Sequence, residues 1–355
     1  MKKPVCIMAG GTGGHIFPGL AVAEELLKRG ETVYWIGSKY GLEGRLVSEK
    51  DIPIYFLAVR GIRGKKGLQR ITAPIRLIIS IFQSIFLMVR RKPSVCIGFG
   101  GYPAGPGGIA ARLLKIPIVI HEQNAVAGMT NRYLAKFATK VLTAFPDVIE
   151  GAECLGNPIR PEIDLVGRQR LARSLESKQS TRILVIGGSQ GAKILNDQLP
   201  IKLHQLANEF GIEVTHQAGT SGKESVSQQY QALDLDATVI AFIGHIDEAY
   251  RDADIVVCRA GALTVSELAL AALPSILIPF DYAVDDHQTK NGQQLVNAGA
   301  AVIVLEKNLD VFIAKLSDIL RAPENLSQMA RAARSVSKPE ATKKVADRIL
   351  EAAYG

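Results

Sequence analysis

Four glycine-rich segments in this sequence have the composition of loops that bind phosphate. They are residues 10–14, 98–108, 187–191 and 259–267, and each follows a short apolar run typical of a β-strand. A glycine loop between a parallel strand and a helix lets backbone N–H groups approach an anion, which the helix dipole also attracts. One such turn can be a simple tight connection, whereas four of them at strand ends predict a bound phosphate ligand.

The sequence disfavours P-loop proteins, nicotinamide dehydrogenases and metal-dependent enzymes. None of the four glycine-rich segments contains the G-K-[ST] of a P-loop, and none has a G-x-G-x-x-G spacing with an acidic residue at the distance that a nicotinamide dehydrogenase needs. Two D-x-D pairs, at 234–236 and 252–254, precede predicted strands and would lie at the sheet edge away from the ligand. The histidines His204, His216 and His245 have no metal-ligand spacing, so we expect no metal in the site.

One segment holds the whole excess of positive charge. The formal net charge is +8, and eleven basic residues without any Asp or Glu lie between Ile52 and His121. Residues 71–89 within it are nearly apolar, and their polar members fall on one helix face: Thr72, Arg76, Ser80, Gln83 and Ser84. Three interpretations compete: a bilayer span, which the polar stripe and an internal proline disfavour, a buried domain helix, and an interfacial anchor with a basic collar.

Apolar strands alternate with longer helical stretches along the chain, which predicts parallel α/β layers. A strand at 5–8, a glycine turn and a helix from about Pro18 form one unit, and a strand at 182–186 with its own glycine turn begins a second. We therefore predict two Rossmann-like, doubly wound parallel-sheet domains. Two prolines near Arg160 mark the boundary, which gives domains at 1–159 and 160–338, and the final helix, 339–355, is assigned to the first.

Long motifs along essentially the whole chain resemble the MurG family of bacterial N-acetylglucosaminyltransferases. In order they are GGTGGHIFPGLAVAEEL (10–26), GFGGYPAGPGG (98–108), HEQNAVAGMTNR (121–132), GNPIR (156–160), GGSQGA (187–192), RAGALTVSEL (259–268) and DDHQTKN (285–291). One departure is Gly292, where the family pattern has alanine. The resemblance implies the GT-B architecture, in which two Rossmann-like domains face a cleft. It also implies transfer of N-acetylglucosamine from UDP-N-acetylglucosamine to the 4-hydroxyl of lipid-linked muramyl pentapeptide (lipid I to lipid II) in peptidoglycan synthesis.

By resemblance, the second domain binds the donor. Ser189 lies beside the diphosphate, Glu267 accepts from the ribose hydroxyls, and the backbone of Ile243 meets the uracil. The other donor-contacting positions are Arg160, Gln288, Ala262, Leu263, Thr264, Val265 and Ser266, together with Thr12, Gly13, Gly14 and Asn124 in the first domain. Purely structural roles remain open, with Ser189 as a helix cap, Glu267 as a first-turn charge, Arg160 as a hinge residue and Gln288 as an exposed helix residue.

The implied chemistry is a single inverting displacement, because the donor sugar is α-linked and the family's product is β-1,4-linked. It needs a base for the acceptor hydroxyl and charge stabilisation for the departing UDP, which helix N-termini and Arg160 could supply without metal. His15 is the candidate base because its unperturbed pKa of roughly 6.5 suits neutral pH. Glu122 is its rival, and His15 could instead orient the loop or bind a sugar phosphate. No cofactor is expected, since UDP-N-acetylglucosamine is a substrate.

The implied acceptor, undecaprenyl-pyrophosphoryl-MurNAc-pentapeptide, stays in the membrane. We therefore expect the first domain to dock on an anionic membrane surface through residues 60–92, with Gly61–Gln69 as a mobile basic loop, at the cytoplasmic face of the inner membrane. No nucleic acid is expected, because aromatic residues do not alternate with the basic ones. Two alternatives stay open: a UDP-sugar epimerase of the same architecture, and a non-catalytic membrane or nucleic-acid binding module that leaves the glycine turns without a role.

Overall fold

A computed structural model describes residues 2–39, 41–59, 73–172, 180–188, 191–281 and 284–355. The chain forms two compact units, Met1–Arg160 with Glu340–Gly355, and Pro161–Pro339. The chain therefore leaves the first unit after Arg160 and returns to it at the C-terminal helix.

The first unit is built on a seven-stranded parallel sheet. Its strands are β1 (Val5–Ala9), β2 (Val33–Ser38), β3 (Ile54–Leu57), β4 (Val95–Gly100), β5 (Ile118–Glu122), β6 (Lys140–Thr143) and β7 (Glu153–Cys154). Their spatial order is β3-β2-β1-β4-β5-β6-β7, and every neighbouring pair is parallel. The order reverses between β1 and β4, and ligands of such sheets bind beside the carboxyl ends of the strands at that point.

Helices cover both faces of this sheet, which is why its central strands are apolar along their whole length. They are α1 (Gly13–Lys28), α2 (Glu43–Ser48), α3 (Ala73–Arg91), α4 (Gly101–Leu113) and α5 (Met129–Ala135). One core, which includes Trp35 and Leu26, lies on the α1 face, and the other, which includes Met88 and Leu134, lies on the face of α3 to α5.

The start of α1 corrects the sequence analysis, which placed it at about Pro18. The helix begins at Gly13, and Pro18 lies inside it. Proline lacks an N–H, so its position suggested a first turn, but the helix tolerates the loss of the single bond to the Gly14 carbonyl. Gly13 and Gly14 are therefore the first helical residues rather than the end of a loop.

Helix α3 contacts the protein through two serines and a methionine, and it exposes several large apolar side chains. Its buried residues are Ser80, Ser84 and Met88, and it packs on α4 through this narrow stripe. Phe82 and Phe86 are 66% and 65% exposed. The interpretation as a buried domain helix is therefore wrong. Within the described ranges, α3 is the single helix long and apolar enough to cross a membrane, whereas Gly61–Gln69 and the rest of 60–72 lie outside those ranges.

The second unit repeats the design with six parallel strands. They are β8 (Thr181–Ile186), β9 (Ile212–Gln217), β10 (Ala237–Ile240), β11 (Ile255–Cys258), β12 (Ser275–Leu277) and β13 (Ala301–Ile303), in the order β10-β9-β8-β11-β12-β13. Leu195 and Leu199 pack with strand residues such as Val185 in its core. The two parallel sheets confirm the predicted α/β class with two doubly wound Rossmann-like domains.

The described part of the second unit contains eight α-helices. They are α6 (Pro161–Ala172), α7 (Lys193–Ala207), α8 (Lys223–Ala232), α9 (Ile246–Asp252), α10 (Ala262–Leu270), α11 (His287–Asn297), α12 (Phe312–Leu320) and α13 (Pro323–Ser335). Short 3₁₀ helices precede α11 and α12, at Val284–Asp286 and Glu306–Val311. The last helix, α14 (Ala341–Tyr354), belongs to the first unit and packs on α1 and β4.

Candidate functional site

The first glycine turn places the N-terminus of α1 at the carboxyl end of β1. Gly11 has φ of +99°, which glycine adopts without strain. Thr12 is extended, and its carbonyl accepts hydrogen bonds from the N–H groups of His15 and Ile16 over 3.1 and 3.3 Å. Thr12 and Gly14 are exposed, and the first turn of α1 carries no acidic residue. This helix end is therefore open to an anion.

The second glycine segment touches the first one directly. Gly100 and Gly101 have φ of +92° and +76° and turn the chain from β4 into α4. A Cβ at Gly101 would collide with the Gly10 carbonyl oxygen, and one at Gly100 would lie 3.1 Å from the His15 ring. These two positions need glycine because backbone passes against backbone and against the candidate base. The two segments and His15 form one site.

His15 is half-buried beside these turns. Its Nδ1 lies 3.5 Å from Thr12 Oγ1. Burial lowers the pKa of His15 below its ordinary value of 6.5, although the carboxylates of Glu122 and Glu43 act in the opposite direction. The imidazole is therefore neutral at physiological pH, which is the form that can accept a proton.

Glu122, the rival base, is the centre of a hydrogen-bonded loop. It is 2% exposed at the end of β5. Its Oε1 accepts from the backbone N–H and the Nδ2 of Asn124 over 3.0 and 3.2 Å. Its Oε2 accepts from the Gly128 N–H and the Asn131 Nδ2 over 3.0 and 2.9 Å. Four bonds occupy this carboxylate, so its geometry favours ordering residues 123–128, including Asn124, over taking a proton.

His121 supports the same loop and was not singled out by sequence analysis, although it begins the motif at 121–132. It is fully buried, and its Nε2 lies 2.9 Å from the Gly156 carbonyl oxygen. Burial lowers the pKa of His121 to about 4. A neutral, buried ring at this position packs against Phe99 with ring centroids 5.7 Å apart and fixes the end of β5.

In the second unit, the third glycine turn is tied to the end of β9. Gly188 and Gly191 have φ of +84° and +75°, and the Gly191 N–H donates to the Gly188 carbonyl over 2.8 Å. Gln217 Nε2 donates to the same carbonyl over 2.9 Å. Ser189 lies outside the described residues, so its place beside a diphosphate stays a prediction.

A buried polar chain lies behind this turn. Asn196 Nδ2 donates to the Ala218 carbonyl over 2.9 Å, and Asn196 Oδ1 lies 3.2 Å from His216 Nε2. His216 Nδ1 lies 3.0 Å from the Tyr230 hydroxyl. Burial lowers the pKa of His216 to about 4, so the ring stays neutral and fully hydrogen-bonded. The role of His216 is therefore structural.

The fourth glycine segment leads into α10, whose first turns hold the predicted donor run. Gly261 is extended before the helix begins at Ala262. Ala262 and Val265 are buried, whereas Leu263, Thr264, Ser266 and Glu267 are partly exposed. The hydroxyl of Ser266 donates to its own helix at the Ala262 carbonyl over 2.9 Å, and Glu267 Oε2 accepts from the Tyr250 hydroxyl over 3.0 Å. The partly exposed residues are the ones that a ligand can reach.

Gln288 fixes the loop that follows β12. Its Oε1 accepts from the Phe280 N–H over 2.9 Å, and its side-chain amide also carries two N–H donors. Asn291, one turn later, donates to the Ala260 carbonyl over 3.3 Å and joins α11 to the fourth glycine segment. A Cβ at Gly292 would lie 2.8 Å from Leu277 Cδ1. Gly292, where the family pattern has alanine, therefore allows α11 to pack closely on β12.

Arg259 also organises this loop and was not assigned a role from the sequence. It donates to the carbonyls of Ile278 and Pro279 over 3.1 and 3.3 Å. It pairs with Glu306 and lies over the Phe280 ring at 5.4 Å. Its position directly after β11, at the carboxyl edge of the sheet, was the signal that could have found it.

Ile243 lines a cavity of about 450 Å³ that runs along β8, β9 and β10. Asp236 and Asp252, from the two D-x-D pairs, line the same cavity at the amino ends of the strands, on the opposite edge from the glycine segments. The residues that the structure describes hold no group of three or more His, Cys, Asp or Glu side chains arranged for a metal. Arg160 is half-buried immediately before α6.

Comparison with known proteins gives the family. The glycosyltransferase family 28 N-terminal domain matches residues 5–143, and the family's C-terminal domain matches residues 182–349. The UDP-N-acetylglucosamine–N-acetylmuramyl-(pentapeptide) pyrophosphoryl-undecaprenol N-acetylglucosamine transferase of Shewanella woodyi is 45% identical, covering 98% of this chain and 96% of its own. The enzyme of the same name from Pseudomonas fluorescens is 45% identical over 100% of both chains.

Solved structures agree with this assignment. The crystal structure of MurG from Acinetobacter baumannii is 39% identical, with a TM-score of 0.85 over 99% of this chain and 100% of that one. The UDP-GlcNAc 2-epimerase of Neisseria meningitidis, solved with UDP-GlcNAc, has a TM-score of 0.69 at 15% identity over 99% of this chain, which is a likeness of fold alone. The predicted GT-B fold is confirmed, and the chain belongs to glycosyltransferase family 28 and, within it, to the MurG family of N-acetylglucosaminyltransferases.

Proposed function

We propose that this chain transfers N-acetylglucosamine from UDP-N-acetylglucosamine to the 4-hydroxyl of undecaprenyl-pyrophosphoryl-MurNAc-pentapeptide, the step from lipid I to lipid II in peptidoglycan synthesis. The observation that carries the proposal is full-length identity of 45% to transferases of that name. It is supported by glycine turns that present helix N-termini at the carboxyl edges of both sheets.

The second unit binds the donor in this proposal. Glu267, held by Tyr250 over 3.0 Å, accepts from the ribose hydroxyls, for which its two carboxylate oxygens are suited. The third glycine turn and the start of α10 face the diphosphate, with Ser189, Arg160 and Gln288 as further contacts. The Ile243 backbone meets the uracil in this proposal, and Ile243 lines the cavity along β10.

The first unit binds the acceptor and holds the base. His15 lies at the N-terminus of α1, next to both glycine segments, and is neutral because burial lowers its pKa. It takes the proton from the acceptor 4-hydroxyl as that oxygen attacks the anomeric carbon from the face opposite UDP, so the configuration inverts. Glu122 holds the loop that carries Asn124, and Thr12, Gly13, Gly14 and Asn124 contact the transferred sugar.

The negative charge on departing UDP is stabilised without metal in this proposal. Helix N-termini and Arg160 supply positive potential at the diphosphate. The D-x-D carboxylates lie at the amino ends of β10 and β11, too remote from the glycine turns to share a metal with the diphosphate. No cofactor takes part.

The acceptor's lipid is reached by docking of the first unit on an anionic membrane at the cytoplasmic face. The outward apolar face of α3 supports this, because the helix buries its serines and exposes Phe82 and Phe86. Arg90, Arg91 and Lys92 lie at its C-terminal end, where each adds about 1 kcal/mol on anionic lipid. The protein is peripheral in this proposal, since the polar stripe of α3 packs against α4 rather than facing lipid.

The deciding experiment measures UDP release from UDP-N-acetylglucosamine with and without a synthetic lipid-linked muramyl acceptor. We expect release only with the acceptor, unchanged by EDTA. Turnover of the donor without acceptor, with appearance of an epimerised nucleotide sugar, would instead identify an epimerase of the same fold. Loss of activity in EDTA, restored by a divalent cation, would contradict the metal-free step.

A further inference from the structure

We infer that Glu43 is the positioning residue of the first glycine turn and of His15. Glu43 begins α2, far from every motif that the sequence analysis singled out, and it is 0% exposed. Its Oε2 accepts from the Gly11 N–H over 3.1 Å, and its Oε1 accepts from the Ser38 N–H over 2.7 Å. Gly11 follows β1 and Ser38 is the last residue of the neighbouring strand β2, so this one carboxylate joins the loop after β1 to the end of β2.

Three glycines pack closely around the Glu43 side chain. A Cβ at Gly37 would lie 2.8 Å from Glu43 Cγ, and a Cβ at Gly10 or Gly41 would collide with the carboxylate oxygens. Three glycines thus enclose one acidic side chain. Hydrogen bonds from backbone N–H groups to a carboxylate are stronger than bonds between neutral groups, so this side chain is suited to hold both backbone segments.

The bond to Gly11 sets the direction of the glycine turn. With φ of +99° at Gly11, the N–H of that residue faces inward to Glu43. The chain then passes through extended Thr12 into the first turn of α1, where Gly14 is exposed. Loss of the bridge frees the Gly11 N–H, and because glycine rotates easily about its backbone bonds, the helix end that carries His15 is displaced.

Glu43 also acts on the candidate base through its charge. The charged groups that act on His15 are Glu122 from β5 and Glu43 from α2, and both favour the imidazolium, against the effect of burial. Gly100, at the end of β4, lies against the ring and brings no charge to it. Removing the Glu43 charge therefore lowers the pKa of His15, and the base stays unprotonated to lower pH.

The test is Glu43→Gln, which keeps the size of the side chain and removes its charge and one acceptor. The kinetic measurements on this variant rest on the proposed transferase function. We expect kcat to fall about 10- to 100-fold, because small displacements of reacting groups cost that much. We also expect the acid limb of the kcat–pH profile to move to lower pH, while the affinity for UDP, bound by the second unit, stays within about twofold. A wild-type rate and an unmoved acid limb would overturn the inference.

Two controls separate positioning from general damage. Glu49→Gln removes an exposed carboxylate beyond the end of α2 and should leave both the rate and the profile unchanged. Glu43→Asp keeps the charge but shortens the reach, so it should lower kcat without moving the acid limb. Equal shifts of the acid limb in Glu43→Asp and Glu43→Gln would contradict the charge argument.

A second measurement needs neither a variant nor transferase activity. Amide hydrogen exchange of the wild-type protein should show the Gly11 and Ser38 N–H groups to be protected, whereas the exposed Gly14 N–H in the first turn of α1 exchanges rapidly. Fast exchange at Gly11 would overturn the bridge even if Glu43→Gln failed to fold. A wild-type protein with protected Gly11 and no transfer would reject the proposed function and leave the bridge standing.

Discussion

The hydroxyl of Tyr250, itself 1% exposed, donates a hydrogen bond to Glu267 Oε2 over 3.0 Å. This bond joins α9 to α10, and Arg170 donates to the carbonyls of Tyr250 and Ala253 over 2.7 and 2.6 Å from the other side. The buried Tyr250 hydroxyl therefore holds the carboxylate that we propose for the donor ribose. The half-buried Arg170 in turn fixes the end of the helix that carries Tyr250.

Tyr250→Phe tests this support. A hydrogen bond to a charged group contributes about 1.5–3 kcal/mol, so we expect UDP affinity to fall roughly tenfold, with little change in affinity for a uridine nucleotide that lacks the ribose hydroxyls. Calorimetric titration with the two ligands measures this. Tyr354→Phe removes a similar bond, from a hydroxyl to Glu31 over 2.7 Å, and is the matched control. An equal loss for both ligands would show that Tyr250 does not act through Glu267.

His15→Ala should lower kcat far more than donor affinity, because His15 belongs to the first unit and serves the acceptor in our account. In the wild type, burial lowers the pKa of His15 below 6.5, so the rate should be constant above that pH and fall as pH drops through the lowered value. Steady-state rates between pH 4.5 and 8 test this. Unchanged turnover in His15→Ala would remove it as the base and return Glu122 to that role.

The double substitution Phe82→Ser and Phe86→Ser tests the outward face of α3. Burying an exposed Phe contributes about 1.5–3 kcal/mol, so binding to vesicles of anionic phospholipid should fall at least about tenfold. Activity on a water-soluble acceptor analogue should remain, because both side chains are exposed. Leu165→Ser, at an exposed leucine of α6, is the control. Undiminished vesicle binding by the double variant would reject α3 as the docking surface.

The buried histidines predict a loss of stability in acid. Burial lowers the pKa values of His121 and His216 to about 4, so between about pH 6.5 and 4 the unfolded chain binds more protons than the folded one. Stability is therefore fully present above pH 6.5 and falls as pH drops through this window, by about 3 kcal/mol for each histidine. Urea titrations at pH 7 and 4.5 should show it. His216→Gln should flatten the dependence, and an unchanged slope in that variant would contradict the assignment.

The parallel sheets could be predicted because their strands are apolar runs followed by glycine turns. This pattern lies in consecutive residues, so it can be recognised without knowledge of the tertiary structure. Sequence reasoning missed the start of α1 by five residues, since Pro18 imitates a first helical turn and only the Thr12 carbonyl bonds reveal the true start. The periodicity of the sequence predicted the polar stripe of α3. Periodicity separates the polar and apolar faces of a helix, but it does not show which face packs against the rest of the protein.

The residues that sequence reasoning could not find act across long separations. Glu43 contacts Gly11, and Tyr250 contacts Glu267, because the order of the strands in the sheet brings them together. The local composition of α2 and α9 does not indicate a special role for Glu43 or Tyr250. The family resemblance predicted which residues contact the ligand. The residues that hold those side chains in place were identified only from the hydrogen bonds of the structure.

The configuration of the product tests the central claim most directly. Incubation with UDP-N-acetylglucosamine and the lipid-linked muramyl acceptor, followed by NMR of the isolated disaccharide, should show a β-1,4 linkage formed in an amount equal to the UDP released. An α-linked product, or UDP release with no disaccharide, would contradict a single inverting transfer by this chain.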